Sequence, residues 1–231
     1  MSKKKIPFYE KIEELSAKGF YSGDSHQLEK DIIRREEALK RDLTDQETLT
    51  WIGKQNYRKD LRSAEEYIYN IHEGWFFEDY FFELIKNSKS FRNFSVEQTG
   101  CDKERKVILF DGPYNVTSDP DFLLKENGTD RKIHIQFKFA NNYNKDGSLN
   151  IKPSRYDSDD DYYYMFYIFE TNECFIFPFK KISESGIELI SNRKWGNKLT
   201  YKIDRHWVFD NCSPLDLWEF HEQINNESWW L

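Results

Sequence analysis

The sequence predicts an α/β protein: a mixed, mostly central sheet flanked by helices, preceded by a helical N-terminal extension. Three observations point there. Residues 121–139 have the alternation and turn chemistry of a β-hairpin, and residues 71–85 carry apolar side chains at helical spacing. Residues 162–170 and 174–179 form two near-continuous apolar and aromatic runs, the kind buried on both faces of a sheet. A chain of 231 residues can hold one large domain or a smaller one with an extension. The pattern divides it into a helical region, 1–70, and an α/β domain, 71–231.

Composition bounds the function. With 32% charged residues, and 17% aromatic residues that are too many for disorder, the chain reads as soluble and globular, and no apolar run approaches membrane-spanning length. Lys3-Lys4-Lys5 leads into no signal-like apolar run. The three cysteines, Cys101, Cys174 and Cys212, are scattered and make no zinc spacing, which suits a reducing, cytoplasmic setting. A net charge of −7 opposes indiscriminate nucleic-acid binding through bulk electrostatics, while local basic groups can still meet phosphates.

In chain order, Ser25 can cap a helix over residues 28–43, and Thr44 with Glu47 makes a capping box for a second at 48–54. A third helix would start near Ser63 and run towards Tyr69. Arg34, Arg35, Lys40, Arg41, Lys54, Arg58, Lys59 and Arg62 invite a DNA-contacting reading. Acidic residues interleave with nearly all of them, as on an ordinary solvated face, and an arm or homodimer contact is equally open. Next, Ile71, Trp75, Phe81, Phe82 and Ile85 surround Glu78 at offsets of three, four and seven. Glu78 is either a surface residue at the edge of a broad aromatic face or a carboxylate in an apolar stripe, which is costly unless a cation or donor meets it.

Phe91–Gln98 reads as the first strand, residues 107–110 as a strand or loop, and Asp111-Gly112-Pro113 as a turn. The hairpin follows: Phe122-Leu123-Leu124, a tight Asn127-Gly128 turn, then a strand with Ile133, Ile135, Phe137 and Phe139 on one face and His134, Gln136 and Lys138 on the other. Residues 141–161 read as a polar loop whose Lys145, Lys152 and Arg155 can meet phosphates. Its acidic end, residues 157–161, lacks the glycine and terminal glutamate of a calcium loop and reads as a lead-in to a strand. After the two apolar strands come a short helix at 183–191, strands at 198–203 and 207–209, and a last helix over Leu215–Ile224 started by Pro214. Trp229-Trp230 either packs on the body or marks a partner surface. His72, His134, His206 and His221 lack metal-ligand spacing; His134 reads as a structural hydrogen-bonding residue or a support to the polar face.

That polar face is the informative one. Asp121, leaving one strand, can hold a divalent cation, and Gln136 can add its side-chain carbonyl oxygen as a hard neutral ligand. Lys138, on the same face, can orient or help deprotonate an attacking water, or stabilise charge on a phosphate.

The arrangement resembles the PD-(D/E)xK nuclease superfamily, whose fold is restriction-endonuclease-like. Pro120-Asp121 matches its first motif and Gln136-Phe137-Lys138 its second, with Gln136 where Asp or Glu is usual, so one formal negative charge is missing. Superfamily members place an acidic residue on a helix before the hairpin, often soon after a glycine, and Glu78 after Gly74 takes that place. The resemblance spans residues 74–179 and leaves out the N-terminal third. It implies Mg²⁺-dependent hydrolysis of phosphodiester bonds in double-stranded DNA, with Mn²⁺ able to substitute, most closely as a type II restriction endonuclease. Asp121 would be the principal metal ligand, Glu78 an additional carboxylate acting directly or through water, Gln136 a weaker amide ligand, and Lys138 the group serving the water or the transition-state charge. Two non-catalytic readings stand beside it. One is an acidic DNA mimic or protein-binding module; the other is a degenerate nuclease fold that binds without cutting.

Overall fold

The computed structural model describes residues 33, 64–99, 120–154, 159–192 and 198–226. All but Ile33 of the first helix expected in the N-terminal region, the whole of the second, the strand or loop at 107–110, Arg155 and Trp229-Trp230 lie outside those residues; Ile33 is helical. The chain forms two compact units, Met1–Tyr80 with Cys101–Thr117, and Phe81–Gly100 with Ser118–Leu231. The architecture of the described residues is mixed α/β, with a six-stranded sheet, a three-stranded sheet and a few helices.

Helix α1 runs unbroken over Ala64–Asn87. The sequence suggests two segments there, one ending near Tyr69 and one around Glu78. Gly74 does not separate them, and a Cβ at Gly74 would meet nothing within 4 Å. Its cost is therefore the intrinsic one, about 1 kcal/mol. Within the first unit α1 buries Glu73, Trp75, Phe76, Phe77 and Tyr80, and burial of side chains this large offsets a single glycine. Within the second unit it buries Phe81, Leu84 and Ile85.

The six-stranded sheet belongs to the second unit. Its strands are β1 (Phe94–Gln98), β2 (Phe122–Glu126), β3 (Lys132–Ala140), β5 (Tyr162–Ile168), β6 (Glu173–Pro178) and β9 (Leu215–Asp216), in the spatial order β1-β2-β3-β5-β6-β9. All neighbours are antiparallel except β3 and β5. Every residue of β5 is buried, as its unbroken apolar run requires. One sheet face presents Ile133, Ile135 and Phe137 to α1, whose Phe81 ring lies 5.1 Å from Phe137 and 5.8 Å from Phe220 of α4 (Leu217–Asn226). On the other face Tyr164, Phe166, Phe175 and Phe177 stack, with Phe166 and Phe175 5.2 Å apart and inclined by 11°. That stack is covered by a three-stranded sheet, ordered β4 (Ser148–Ile151), β8 (Lys198–Asp204), β7 (Leu189–Asn192), through Leu149, Ile151 and Ile203. Among the described residues no helix is long and apolar enough to cross a membrane.

Several elements differ from expectation. The hairpin turn is wider than a two-residue Asn-Gly turn: Gly128 alone takes a positive φ, 84°, and Glu126 N–H bonds Arg131 C=O at 3.1 Å across four intervening residues. β1 starts at Phe94 because Lys89–Phe91 is a 3₁₀ turn capped by Ser88. The stretch read as a loop contains β4, started by Gly147 at φ 73° and by Asp146, whose carboxylate accepts from the Ser148 hydroxyl at 2.6 Å. The helix expected at 183–191 is α2 (Lys180–Glu184) followed by β7, since Gly186 at φ 68° turns the chain out of the helix. Residues 207–209 are not a strand. They lie in α3 (Arg205–Cys212), where Asp204 caps the helix by accepting from Trp207 N–H at 2.8 Å and the i, i+4 pair Val208 and Cys212 is buried. The last helix begins two residues late because Leu215–Asp216 pairs with β6 and Asp216 caps α4 through Trp218 N–H at 2.8 Å. The acidic lead-in to β5 is used in ion pairs: Asp161 with Arg131 and Asp160 with Lys180, at 2.8 and 2.9 Å.

Candidate active site

The hairpin places Asp121 and Gln136 face to face. Phe122 pairs with Ile135, so one step further along the same register sets Asp121 opposite Gln136. Lys138 lies two residues on and therefore on the same face. These three predicted residues come together at the end of the sheet where β2 stops. Gln136 is half-buried and Lys138 exposed. Among the described residues Lys138 makes no hydrogen bond or ion pair, and its charge acts on Asp121.

Backbone chemistry explains why the ladder opens there. On β3 the odd-numbered residues turn their N–H and C=O groups to β2, as the Glu126–Arg131 bond of the same register shows. The next bonded pair would be Phe137 with position 120. Position 120 is proline, which has no N–H to give, so the Phe137 carbonyl receives no ladder donor. The Phe137 N–H donates instead to Asp121 Oδ2, at 2.8 Å. The Gln136 side-chain nitrogen donates to the same Oδ2 and stands 3.5 Å from the Phe137 carbonyl oxygen. On the β1 side, Thr99 N–H donates to the Asp121 carbonyl at 2.9 Å and the Thr99 hydroxyl to the Pro120 carbonyl at 2.6 Å.

Burial pushes the Asp121 carboxyl above its ordinary range. The Lys138 charge, the Phe137 N–H and the Gln136 amide oppose that rise without cancelling it. Both hydrogen bonds fall on Oδ2; among the described residues none falls on Oδ1 or on Gln136 Oε1. The site therefore leaves Asp121 Oδ1 for a cation and the Phe137 carbonyl with only the long Gln136 contact, and Gln136 Oε1 becomes a third hard oxygen when the amide turns over. That donor set suits Mg²⁺, which takes one or two carboxylates and keeps several waters for a phosphate to displace. Among the described residues no group of three or more His, Cys, Asp or Glu is placed to hold a metal, so a cation here depends on the amide, the backbone and substrate oxygens.

Glu78 sits half-buried on the part of α1 that belongs to the first unit. His134 is half-buried on β3. Of the loop lysines read as phosphate contacts, Lys145 and Lys152 are exposed; the Lys152 carbonyl accepts from the Tyr164 hydroxyl at 2.9 Å, and Tyr164 pairs with Gln136. Two participants were missed in the sequence, Thr99 and the Phe137 backbone. Neither carries a residue-type signal: Thr99 reaches the site only through the β1–β2 register, and a carbonyl left open by Pro120 emerges only once β3 is paired. No family model, no curated protein and no solved structure matches this chain.

Proposed function

We propose that the chain is a Mg²⁺-dependent DNA endonuclease with a restriction-endonuclease-like fold, of the type II restriction class. One observation carries the reading: Asp121, Gln136 and the Phe137 carbonyl bring hard oxygens together where a strand pair opens, with the Lys138 ammonium on the same face. Asp121, Gln136 and the Phe137 carbonyl would hold Mg²⁺, which when bound supplies Lewis-acid polarisation of the scissile phosphate and a more acidic water. Lys138 meets the phosphate and offsets charge that grows in the transition state. The Phe137 N–H fixes the rotamer of Asp121, leaving Oδ1 for the site. Glu78 enters from the sequence pattern alone, as an additional carboxylate.

The test is incubation of the purified protein with plasmid DNA and Mg²⁺ or Mn²⁺. Discrete bands support restriction activity and a smear supports unspecific cleavage. Intact plasmid across a panel of sequences, with both metals, overturns the proposal. A second reading has its own observation. Asp121 already holds two donors, and burial raises its carboxyl above the ordinary range, which weakens it as a cation ligand and suits a nuclease-like fold that binds without cutting. Retarded but uncut DNA in a gel-shift assay would select it.

A further inference from the structure

We propose that Thr99 is a positioning residue that opens the site, by drawing the Pro120 carbonyl out of the β2–β3 ladder and freeing the Phe137 N–H for Asp121. The inference rests on the endonuclease reading for its consequence and on geometry alone for its cause. In a regular antiparallel ladder the even-numbered residues of β2 turn to β3, so the Pro120 carbonyl would accept from the Phe137 N–H. It accepts from the Thr99 hydroxyl instead, at 2.6 Å on the β1 side. The Thr99 N–H also takes the Asp121 carbonyl, at 2.9 Å. The two carbonyls held by Thr99 belong to the two peptide planes that flank the Asp121 Cα. Fixing both planes fixes φ and ψ of Asp121, and with them the direction of its Cβ. The carboxylate is then delivered to the Phe137 N–H vacated by Pro120, at 2.8 Å. Among the described residues no other donor bonds the Pro120 or the Asp121 carbonyl, and none from the β1 side bonds the Asp121 carboxylate.

Thr99→Val keeps the β-branched shape and removes the donor; Thr99→Ala removes it with less bulk, should the valine protein fold poorly; Thr99→Ser keeps it. The direct readout is NMR in the metal-free, full-length protein, through the coupling across the hydrogen bond from the Phe137 nitrogen. In wild type and Thr99→Ser the partner should be the Asp121 carboxyl carbon. In Thr99→Val and Thr99→Ala it should pass to the Pro120 carbonyl carbon, or vanish. An Asp121 partner retained in both overturns the proposal. The consequence is read by calorimetric titration with Mg²⁺, where loss of such a support should weaken binding at least about tenfold, with serine restoring it. Unchanged Mg²⁺ affinity after a partner switch overturns the role in metal placement. A partner switch in the variants, together with a wild-type protein that binds no Mg²⁺ with or without DNA, upholds the positioning of Asp121 and sinks the nuclease reading.

Discussion

Gln136 stands across the β2–β3 ladder from Asp121, and its amide nitrogen donates to the Oδ2 that the Phe137 N–H also reaches. The two side chains face each other as donor and acceptor, without the repulsion that two carboxylates at these positions would create. Presenting Oε1 to a cation requires the amide to turn over and give up that bond, so metal entry and loss of the Asp121–Gln136 contact are linked.

Gln136→Glu should therefore tighten Mg²⁺ binding in the free protein, because a second full charge beside a cation contributes well above thermal energy even in a half-open cleft. Wild type should bind Mg²⁺ weakly alone and more tightly with DNA, and DNA affinity should rise by the same factor with Mg²⁺. Calorimetry with and without DNA checks both. Equal metal affinity in wild type and Gln136→Glu would remove Gln136 from the ligand set.

Asp121→Asn and Lys138→Ala should each lower cleavage at least about a hundredfold while leaving the circular dichroism spectrum intact. Cleavage within a few-fold of wild type in either variant would sink the assignment of the site.

The same Asp121→Asn change should stabilise the protein at neutral pH. An acid whose folded-state pKa is raised loses its proton first in the unfolded chain. Stability therefore falls as pH climbs from about the ordinary value of 3.8 through the folded value, and the penalty is complete above it. Asparagine keeps an oxygen for the Phe137 N–H and carries no charge to desolvate. Melting temperatures should be higher for Asp121→Asn at pH 7 and converge with wild type below the ordinary value. A lower melting temperature at pH 7 would show that Asp121 is held by more than these contacts.

Glu78→Gln retains shape, so its effect on folding should be small whether the residue is catalytic or structural. A sharp fall in cleavage with a raised Mg²⁺ requirement would identify a metal ligand, and a fall at unchanged requirement a supporting group. Full activity would remove Glu78 from the mechanism.

Away from the site, buried Glu173 accepts from the Tyr143 hydroxyl at 2.6 Å and from Arg205, whose guanidinium lies 5.3 Å from the centres of both the Tyr143 and Phe209 rings. Burial and then the Glu173 hydrogen bond push the Tyr143 phenol far above its ordinary value. Tyr143→Phe should cost about 1 kcal/mol, and Glu173→Ala about 2–3 kcal/mol, since the latter leaves the phenol unmet. Urea denaturation measures both; a neutral Glu173→Ala would mean that water replaces the carboxylate.

The hairpin and the two buried strands were legible because their signals are local: alternation around Ile133, Ile135 and Phe137, and unbroken apolar character from Tyr162. Asp121, Gln136 and Lys138 were legible as a group for the same reason, since a hairpin brings its own strands together. Elements set by capping against tertiary context were harder. Trp207-Val208-Phe209 has strand-like composition, yet Asp204 starts a helix there and only Val208 among the three is buried. β4 is four residues long in a polar stretch, and its burial depends on a sheet partner more than fifty residues later. Thr99 and the Phe137 carbonyl matter through pairing alone, which no single residue announces.

The β3–β5 pairing bears on how the molecule assembles. Both flanking hairpins, β2–β3 and β5–β6, close over short loops, whereas parallel pairing of His134 with Tyr162 must wait for the chain to travel out through β4 and back. Loop-closure entropy makes such non-local pairing the slow event. Asp121 and Gln136 would thus meet early on one hairpin, while the aromatic stack behind them, with Tyr164 reaching the Lys152 carbonyl, would form at or after the rate-limiting step. Conservative truncations in β5, such as Ile168→Val, should then speed unfolding more than they slow folding, and those in the first hairpin, such as Ile135→Val, the reverse. Stopped-flow chevrons of the two variants decide the order.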